Sequence, residues 1–172
     1  MSDPNVVTSV QRAFLANPTA VPTANGQTVV LFSTHPRKPG GSGTAVTSTF
    51  VRANGTQTVV VSPDAIETVE VSFFAHNQLS AANGLRAYET LDGGATWSET
   101  DMKGYISGVA NQPSIGAAAQ IQVPVLSAGQ EWVDMFDIGR YRGWALEYVT
   151  GATPPTLWAY DAAILYGAQG EA

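Results

Sequence analysis

The segment Thr68-Val69-Glu70-Val71-Ser72-Phe73 decides the fold of this chain. Its apolar residues Val69, Val71 and Phe73 alternate with polar ones. Because successive side chains of a strand point to opposite faces, this alternation is typical of a β-strand with one buried face and one solvated face. We therefore expect a sheet that has one wet face.

Other strand-like segments lie on both sides of this one and are separated by turn signals. Asn54-Gly55 separates Phe50-Val51 from Val59-Val60-Val61 at a spacing typical of a tight hairpin. Further β-rich or alternating runs cover 29–32, 45–52, 85–91, 96–100, 119–125, 144–149 and 158–166. About eight to nine strands separated by turns predict an all-β chain folded as an antiparallel β-sandwich or jelly roll.

The N-terminal residues differ from the rest and predict an arm. After an Asp-Pro helix-start signal, Val7, Val10 and Phe14 fall on one face of a short helix. Three apolar residues cannot stabilise an isolated helix, so this helix must pack on its own domain or on a neighbouring subunit. We therefore divide the chain into an arm with a Pro-rich connector, residues 1–25, and a β-sandwich domain, residues 26–172.

Composition excludes several classes of function. The chain has 172 residues, of which 44% are hydrophobic and 13% are charged, and its formal net charge is -6. This charge has the wrong sign for a protein that grips phosphate backbones, so no nucleic-acid partner is expected. No apolar stretch approaches the roughly 20 residues of a membrane span, so no membrane is expected either. The absence of cysteine excludes disulfides and thiol chemistry.

The sharpest motif is Thr90-Leu91-Asp92-Gly93-Gly94-Ala95-Thr96-Trp97, which resembles the Asp-box of sialidases and of many β-rich extracellular and viral proteins. Asp92 is expected to accept hydrogen bonds from backbone N–H groups, the glycines to supply positive φ, and Trp97 to cover the turn. A sialidase would carry several copies around a propeller, whereas this sequence has one. We therefore interpret Thr90, Asp92, Gly94 and Trp97 as a structural hairpin.

The sequence contains one basic cluster, His35-Pro36-Arg37-Lys38, followed by Pro39 and two glycines. One interpretation is an exposed tip that docks on an acidic surface or a phosphate-bearing ligand, because prolines project a loop and glycines let it conform. The other is a solvated hairpin loop, since isolated surface charges contribute little. Both interpretations place His35, Arg37 and Lys38 at the surface.

Residues suited to catalysis or metal binding are scattered. No pattern around His76 indicates a triad. Glu131, Asp134 and Asp137 recur at three-residue intervals, which could serve a glycosidase pair or a Ca²⁺ site. On a strand, however, Asp134 faces away from the other two, and the cluster disperses. We therefore expect no enzymatic activity, no catalytic or metal-binding residue and no cofactor.

Five aromatic residues near the C terminus allow two interpretations: Trp132, Trp144, Tyr148, Trp158 and Tyr160. They could form a stacking platform for sugar rings, as in carbohydrate-binding sandwiches, or they could pair across strands in a core. Large exposed aromatic patches are uncommon on soluble proteins, so the core interpretation is favoured.

Taken in order, these features resemble small virion structural proteins of tailed bacteriophages. The resemblance covers roughly residues 27–167: a β-sandwich with the single hairpin Leu91-Asp92-Gly93-Gly94-Ala95-Thr96-Trp97, then Tyr141-Arg142-Gly143-Trp144 and a strand, a Gly-Ala-Thr loop, and a final strand. Head decoration (cement) proteins and tail or baseplate components both use such domains. The likeness is one of order and carries over no functional residue.

The resemblance implies a capsid decoration protein that binds and stabilises the head shell. Its partners would be the major capsid protein and copies of itself in a homotrimer, on the capsid surface of a virion assembled in the host cytoplasm. The alternative is a tail or baseplate module that binds a surface carbohydrate or host receptor. The expected contact residues come from the arm and the basic cluster: Val7, Val10, Phe14, His35, Arg37 and Lys38.

Overall fold

The computed structural model describes residues 10–16, 28–37, 47–52, 55, 57–75, 84–101, 105–106, 126–138, 142–149 and 158–167. The strands are β1 (Val10–Leu15), β2 (Thr28–Ser33), β3 (Phe50–Val51), β4 (Thr58–Val59), β5 (Ile66–Ala75), β6 (Gly84–Thr90), β7 (Ser98–Thr100), β8 (Tyr105–Ile106), β9 (Gln130–Asp137), β10 (Gly143–Val149) and β11 (Trp158–Gly167), with a 3-10 helix at Pro63–Ala65. The predicted all-β class is confirmed. The structure describes 11 strands against the eight or nine predicted, because β1, β8 and β9 lie outside the predicted runs. The predicted run 119–125 lies outside the described residues.

The strands form two antiparallel sheets that pack face to face. The larger sheet has the order β4-β3-β1-β11-β5-β9-β8, and the smaller has the order β2-β10-β6-β7. Aromatic rings meet between them: Phe73 of β5 stacks on Tyr148 of β10 with centroids 6.5 Å apart, and Phe136 of β9 stacks on Trp144 of β10 at 4.2 Å. The architecture is that of an antiparallel β-sandwich.

Strand β5 shows how the sequence pattern builds the larger sheet. Val69, Val71 and Phe73 are buried, while Glu70 and Ser72 are partly exposed on the opposite face. The strand pairs along its length with β11 on one side and β9 on the other. The predicted alternation is confirmed, and it assigns the odd-numbered residues from 69 to 73 to the core.

Strand β1 corrects the prediction for the N-terminal arm. Val10–Leu15 is a strand between β3 and β11, so the helix predicted there is wrong. Pairing with β3 and β11 satisfies the backbone hydrogen bonds of this segment within the sheet, whereas three apolar residues do not stabilise an isolated helix. This part of the arm therefore belongs to the sandwich, while Val7 lies outside the described residues.

Strand β10 is buried on both faces. Trp144, Leu146 and Tyr148 share the predicted core parity and are buried. Ala145 and Glu147, on the opposite parity, are buried as well. The second face is therefore covered, and the side chains that cover it form one of the two sites described next.

Candidate functional site

The outer face of the larger sheet carries a groove of about 570 Å³, which we call the outer groove. It crosses the neighbouring strands β1, β11, β5 and β9. Its lining includes side chains of the parity that points away from the core, such as Glu70 and Ser72 of β5. The groove is thus a product of strand register and not of any single sequence motif.

Apolar side chains form part of the outer groove. Met135 and Val133 of β9 line it and are 61% and 42% exposed. Phe14 of β1 also lines it, with the guanidinium of Arg12 4.9 Å from its ring centroid. Val10 has the same strand parity as Phe14 and is 57% exposed. Two of the predicted contact residues, Val10 and Phe14, therefore share this outer face.

Acidic side chains dominate the charge of the outer groove. Three carboxylates of the outward parity line it on three adjacent strands: Glu70 of β5, Glu131 of β9 and Asp161 of β11. Asp134 of β9 also belongs to the lining, but it pairs with buried Val71 and has the parity that faces the core. Among the described lining residues one side chain is cationic, Arg12, and it forms an ion pair with Glu70. The groove is consequently an acidic and apolar surface.

The carboxylates singled out in the sequence do not converge into a metal site. Glu131, Asp134 and Asp137 lie on β9, where Asp134 has the opposite parity to the other two. In the described part of the chain, no group of three His, Asp or Glu side chains could hold a metal ion. His76 lies outside the described residues.

Among the helices that the structure describes, none has the length and apolar character needed to span a membrane.

The Asp-box-like hairpin joins β6 to β7 through a side-chain network. The Thr90 hydroxyl donates to Asp92 Oδ1 at 2.8 Å and accepts from the Gly94 N–H at 2.9 Å. Asp92 also accepts from the backbone N–H of Thr96 at 2.9 Å and from its hydroxyl at 2.6 Å. Gly93 and Gly94 have φ values of 69° and 93°, as this turn requires. The network closes the turn through the side chains of Thr90, Asp92 and Thr96.

Two residues of the basic cluster, His35 and Arg37, lie inside the molecule, and Arg37 packs against the hairpin. Arg37 is 6% exposed and forms an ion pair with Glu147, which is 2% exposed. The Arg37 guanidinium lies 4.0 Å from the ring centroid of Tyr88 and 5.8 Å from that of Trp97. Burial lowers the pKa of Arg37, and Tyr88 acts in the opposite direction. Arg37 thus covers the outer side of β10 and ties it to Trp97 of the hairpin.

His35 is buried beside the same strand. Its Nδ1 lies 3.1 Å from the Thr34 hydroxyl and its Nε2 lies 3.4 Å from Asp64. Gly143 of β10 makes this approach possible, because a Cβ there would collide with the His35 ring and lie 2.8 Å from Thr34 Oγ1. The expectation of an exposed basic tip is therefore wrong for His35 and Arg37. Lys38 lies outside the described residues.

Sequence reasoning missed Glu147, the partner of Arg37. Its signal was a single carboxylate in an otherwise apolar strand, Gly143–Val149. A buried acidic residue needs a cationic or hydrogen-bonding partner. A carboxylate in an apolar strand therefore indicates that another part of the chain supplies this partner. The sequence does not say which cation that is, since Arg37 is 110 residues away.

The aromatic residues pack mainly in the core. Trp132, Trp144 and Tyr148 are at most 2% exposed. Tyr160 is half-buried and its hydroxyl donates to the Leu31 carbonyl at 2.9 Å, which joins the two sheets. The side chain of Trp158 is not described. The described rings therefore stabilise the sandwich. Trp132, Trp144 and Tyr148 lie in the core and are not available for sugar stacking.

Replacing Asp92 by asparagine is expected to lower the melting temperature by an amount that depends on pH. Hydrogen bonds from Thr96 and Thr90 lower the pKa of Asp92 from 3.8 to about 2. A depressed pKa stabilises the folded state above 3.8, and this contribution is lost as the pH falls from 3.8 towards 2. Melting curves of wild type and Asp92→Asn between pH 7 and pH 2.5 should therefore converge at the acid end.

The variant Thr96→Val is the matched control for this titration. It removes the hydroxyl donor to Asp92 Oδ2 and keeps the backbone donor. The pH-dependent difference between Thr96→Val and Thr96→Val/Asp92→Asn should then be smaller than in wild type. A difference between wild type and Asp92→Asn that stays constant with pH would contradict the prediction.

Comparisons with known proteins identify no relative from which a function could be inferred. No family model, curated protein or solved structure matches the chain. The outer groove and the buried Arg37–Glu147 pair are therefore the observations from which a function can be argued.

Proposed function

We propose that this chain is a bacteriophage virion structural protein, a capsid decoration protein that binds the head shell through the outer face of its larger sheet. The observation that carries the proposal is the outer groove, where Val133 and Met135 stand exposed beside carboxylates. Exposed apolar side chains that share one concave face with polar groups are characteristic of protein contact surfaces. The order of strands and hairpin in the sequence, which resembles that of small phage structural proteins, supports the same role.

The construction of the face suits repeated attachment. Its side chains project from β1, β11, β5 and β9, which hold one another by ladder pairing. A surface fixed in this way loses little conformational entropy on binding. On a symmetric shell the same modest contact recurs at every equivalent position, and linked copies gain effective concentration. A modest contact per copy is then sufficient.

The experiment that tests the proposal is cosedimentation of the full chain with undecorated phage capsids. The variant Val133→Ser/Met135→Ser removes apolar area from the outer groove. Its matched control, Val60→Ser/Leu91→Ser, removes two residues that are 63% and 62% exposed elsewhere. Loss of this apolar area should weaken shell binding by the groove variant at least tenfold and leave the control unchanged. Both variants should keep the wild-type melting temperature, because all four side chains are exposed.

Deleting the N-terminal residues is not a suitable test of attachment. Removal of residues 1–25 would take β1 out from between β3 and β11 and would disrupt the sheet itself. Failure of the intact wild-type chain to bind undecorated capsids would overturn the decoration role. A glycan array would then test the receptor-binding alternative, for which the aromatic rings already found in the core provide no platform.

A further inference from the structure

We propose that the outer groove binds a basic segment of a partner protein, an extended one that carries two or more Lys or Arg side chains at alternate positions. This inference rests on the proposed function, since it states the chemistry of the surface that the shell protein would present. The argument starts from the charges of the groove. Its described lining holds three outward-facing carboxylates and a single guanidinium.

The carboxylates are placed to meet more than one cation. Glu70 lies on the central strand β5, Asp161 on β11 and Glu131 on β9, and all three have the parity that points away from the core. Adjacent strands are about 4.8 Å apart, so these three strands span roughly 10 Å. Alternate residues of an extended segment are separated by about 7 Å and point to the same side. A segment with basic residues at alternate positions therefore matches the spread of the acidic groups.

The apolar part of the groove adds a second requirement. Met135 and Val133 are exposed on β9 between and beside the carboxylates, and Phe14 contributes a ring on β1. An ammonium or metal ion alone would leave these side chains uncovered. Lys and Arg side chains have apolar stems as well as charged ends, so the stems of the residues that face the groove would cover these side chains. A peptide satisfies both parts of the surface.

A second copy of this chain is a poor occupant of the groove. A two-fold contact through this face would bring two acidic surfaces together, which charge complementarity opposes. A head-to-tail contact would bring together two copies that each carry a net charge of -6, and His35 and Arg37 of the basic cluster are buried. Nucleic acid carries the same sign of charge as the groove. The favoured occupant is therefore a basic segment of a different protein.

Fluorescence anisotropy with the full chain tests this inference. The probe is a fluorescein-labelled hexapeptide of alternating lysine and valine, and the charge control is the same peptide with glutamate in place of lysine. The lysine peptide should bind, with affinity falling as salt rises, and the glutamate peptide should not. The variant Glu131→Gln/Asp161→Asn should weaken binding about tenfold, since each exposed pair contributes up to a few-fold.

Glu89→Gln is the matched control, because Glu89 is an exposed carboxylate on β6 in the other sheet. It should leave peptide binding unchanged. Equal binding by the double variant, or no binding of the lysine peptide, would overturn the inference. Shell cosedimentation of the same proteins separates the two proposals. Shell binding that survives Glu131→Gln/Asp161→Asn overturns the basic-segment inference alone, whereas peptide binding without shell binding by wild type overturns the decoration role alone.

Discussion

Glu147→Ala is expected to lower the free energy of unfolding by about 3–5 kcal/mol. The substitution removes the carboxylate that pairs with Arg37 and leaves a guanidinium that is 6% exposed without its counter-ion. An unpaired buried charge loses its hydration and gains no compensating attraction, which makes this type of change one of the most costly in a protein core. Urea denaturation followed by tryptophan fluorescence would measure the loss.

Two controls separate the unpaired charge from other effects of the substitution. The double variant Arg37→Met/Glu147→Met removes both charges and keeps apolar volume, so it should be more stable than Glu147→Ala. Glu70→Ala breaks the more exposed pair with Arg12, whose side chains are 51% and 28% exposed, and should cost less than about 1 kcal/mol. Equal losses for Glu147→Ala and Glu70→Ala would contradict the account of a desolvated pair.

Much of the sandwich could be predicted because local patterns and tertiary packing agree there. Val69, Val71 and Phe73 alternate with polar residues, and the sheet requires that same alternation. In β11, Ala162 and Ile164 share the buried parity that the sequence indicates. Where the core is on one side and solvent on the other, the hydrophobic pattern specifies the face directly.

Strand β1 could not be recognised from local sequence. The spacing of Val7, Val10 and Phe14 matches one face of a helix, and the same short segment has enough β-forming residues for a strand. Periodicity in six residues does not separate the two states. The decision is tertiary: pairing with β11 and β3 gives Val10–Leu15 two neighbours, and only the folded sheet provides them.

The two candidate sites were hidden for the same reason. Arg37 looks like a loop residue until Glu147, Tyr88 and Trp97 are brought around it by the pairing of β2, β10 and β6. Sequence analysis places carboxylates along β9, but strand register alone sets Glu131 on the same face as Glu70 of β5 and Asp161 of β11. Contacts between distant segments follow from topology, which composition and motifs do not encode locally.

Trp144→Ala is expected to cost about 3–5 kcal/mol of unfolding free energy. Trp144 is 2% exposed, stacks on Phe136 at 4.2 Å and lies 6.1 Å from Phe32. It belongs to the smaller sheet and Phe136 to the larger, so alanine would open a cavity between the sheets. The cost combines lost apolar burial, lost ring contact and the unfilled volume. Thermal and urea denaturation would both report it.

Trp144→Phe shows which property of the side chain matters. Trp144 Nε1 has no hydrogen-bond partner among the described residues. Replacing Trp144 by phenylalanine therefore breaks no hydrogen bond with any of them. The smaller ring should cost only about 1 kcal/mol for its reduced volume and still stack on Phe136. A double-mutant cycle between Trp144→Ala and Phe136→Leu should give a coupling of about 0.5–1.5 kcal/mol. Phenylalanine retains most of the volume and the stacking of Trp144 and loses its indole N–H. If Trp144→Phe were nevertheless as destabilising as Trp144→Ala, the N–H rather than the ring would hold the sheets together.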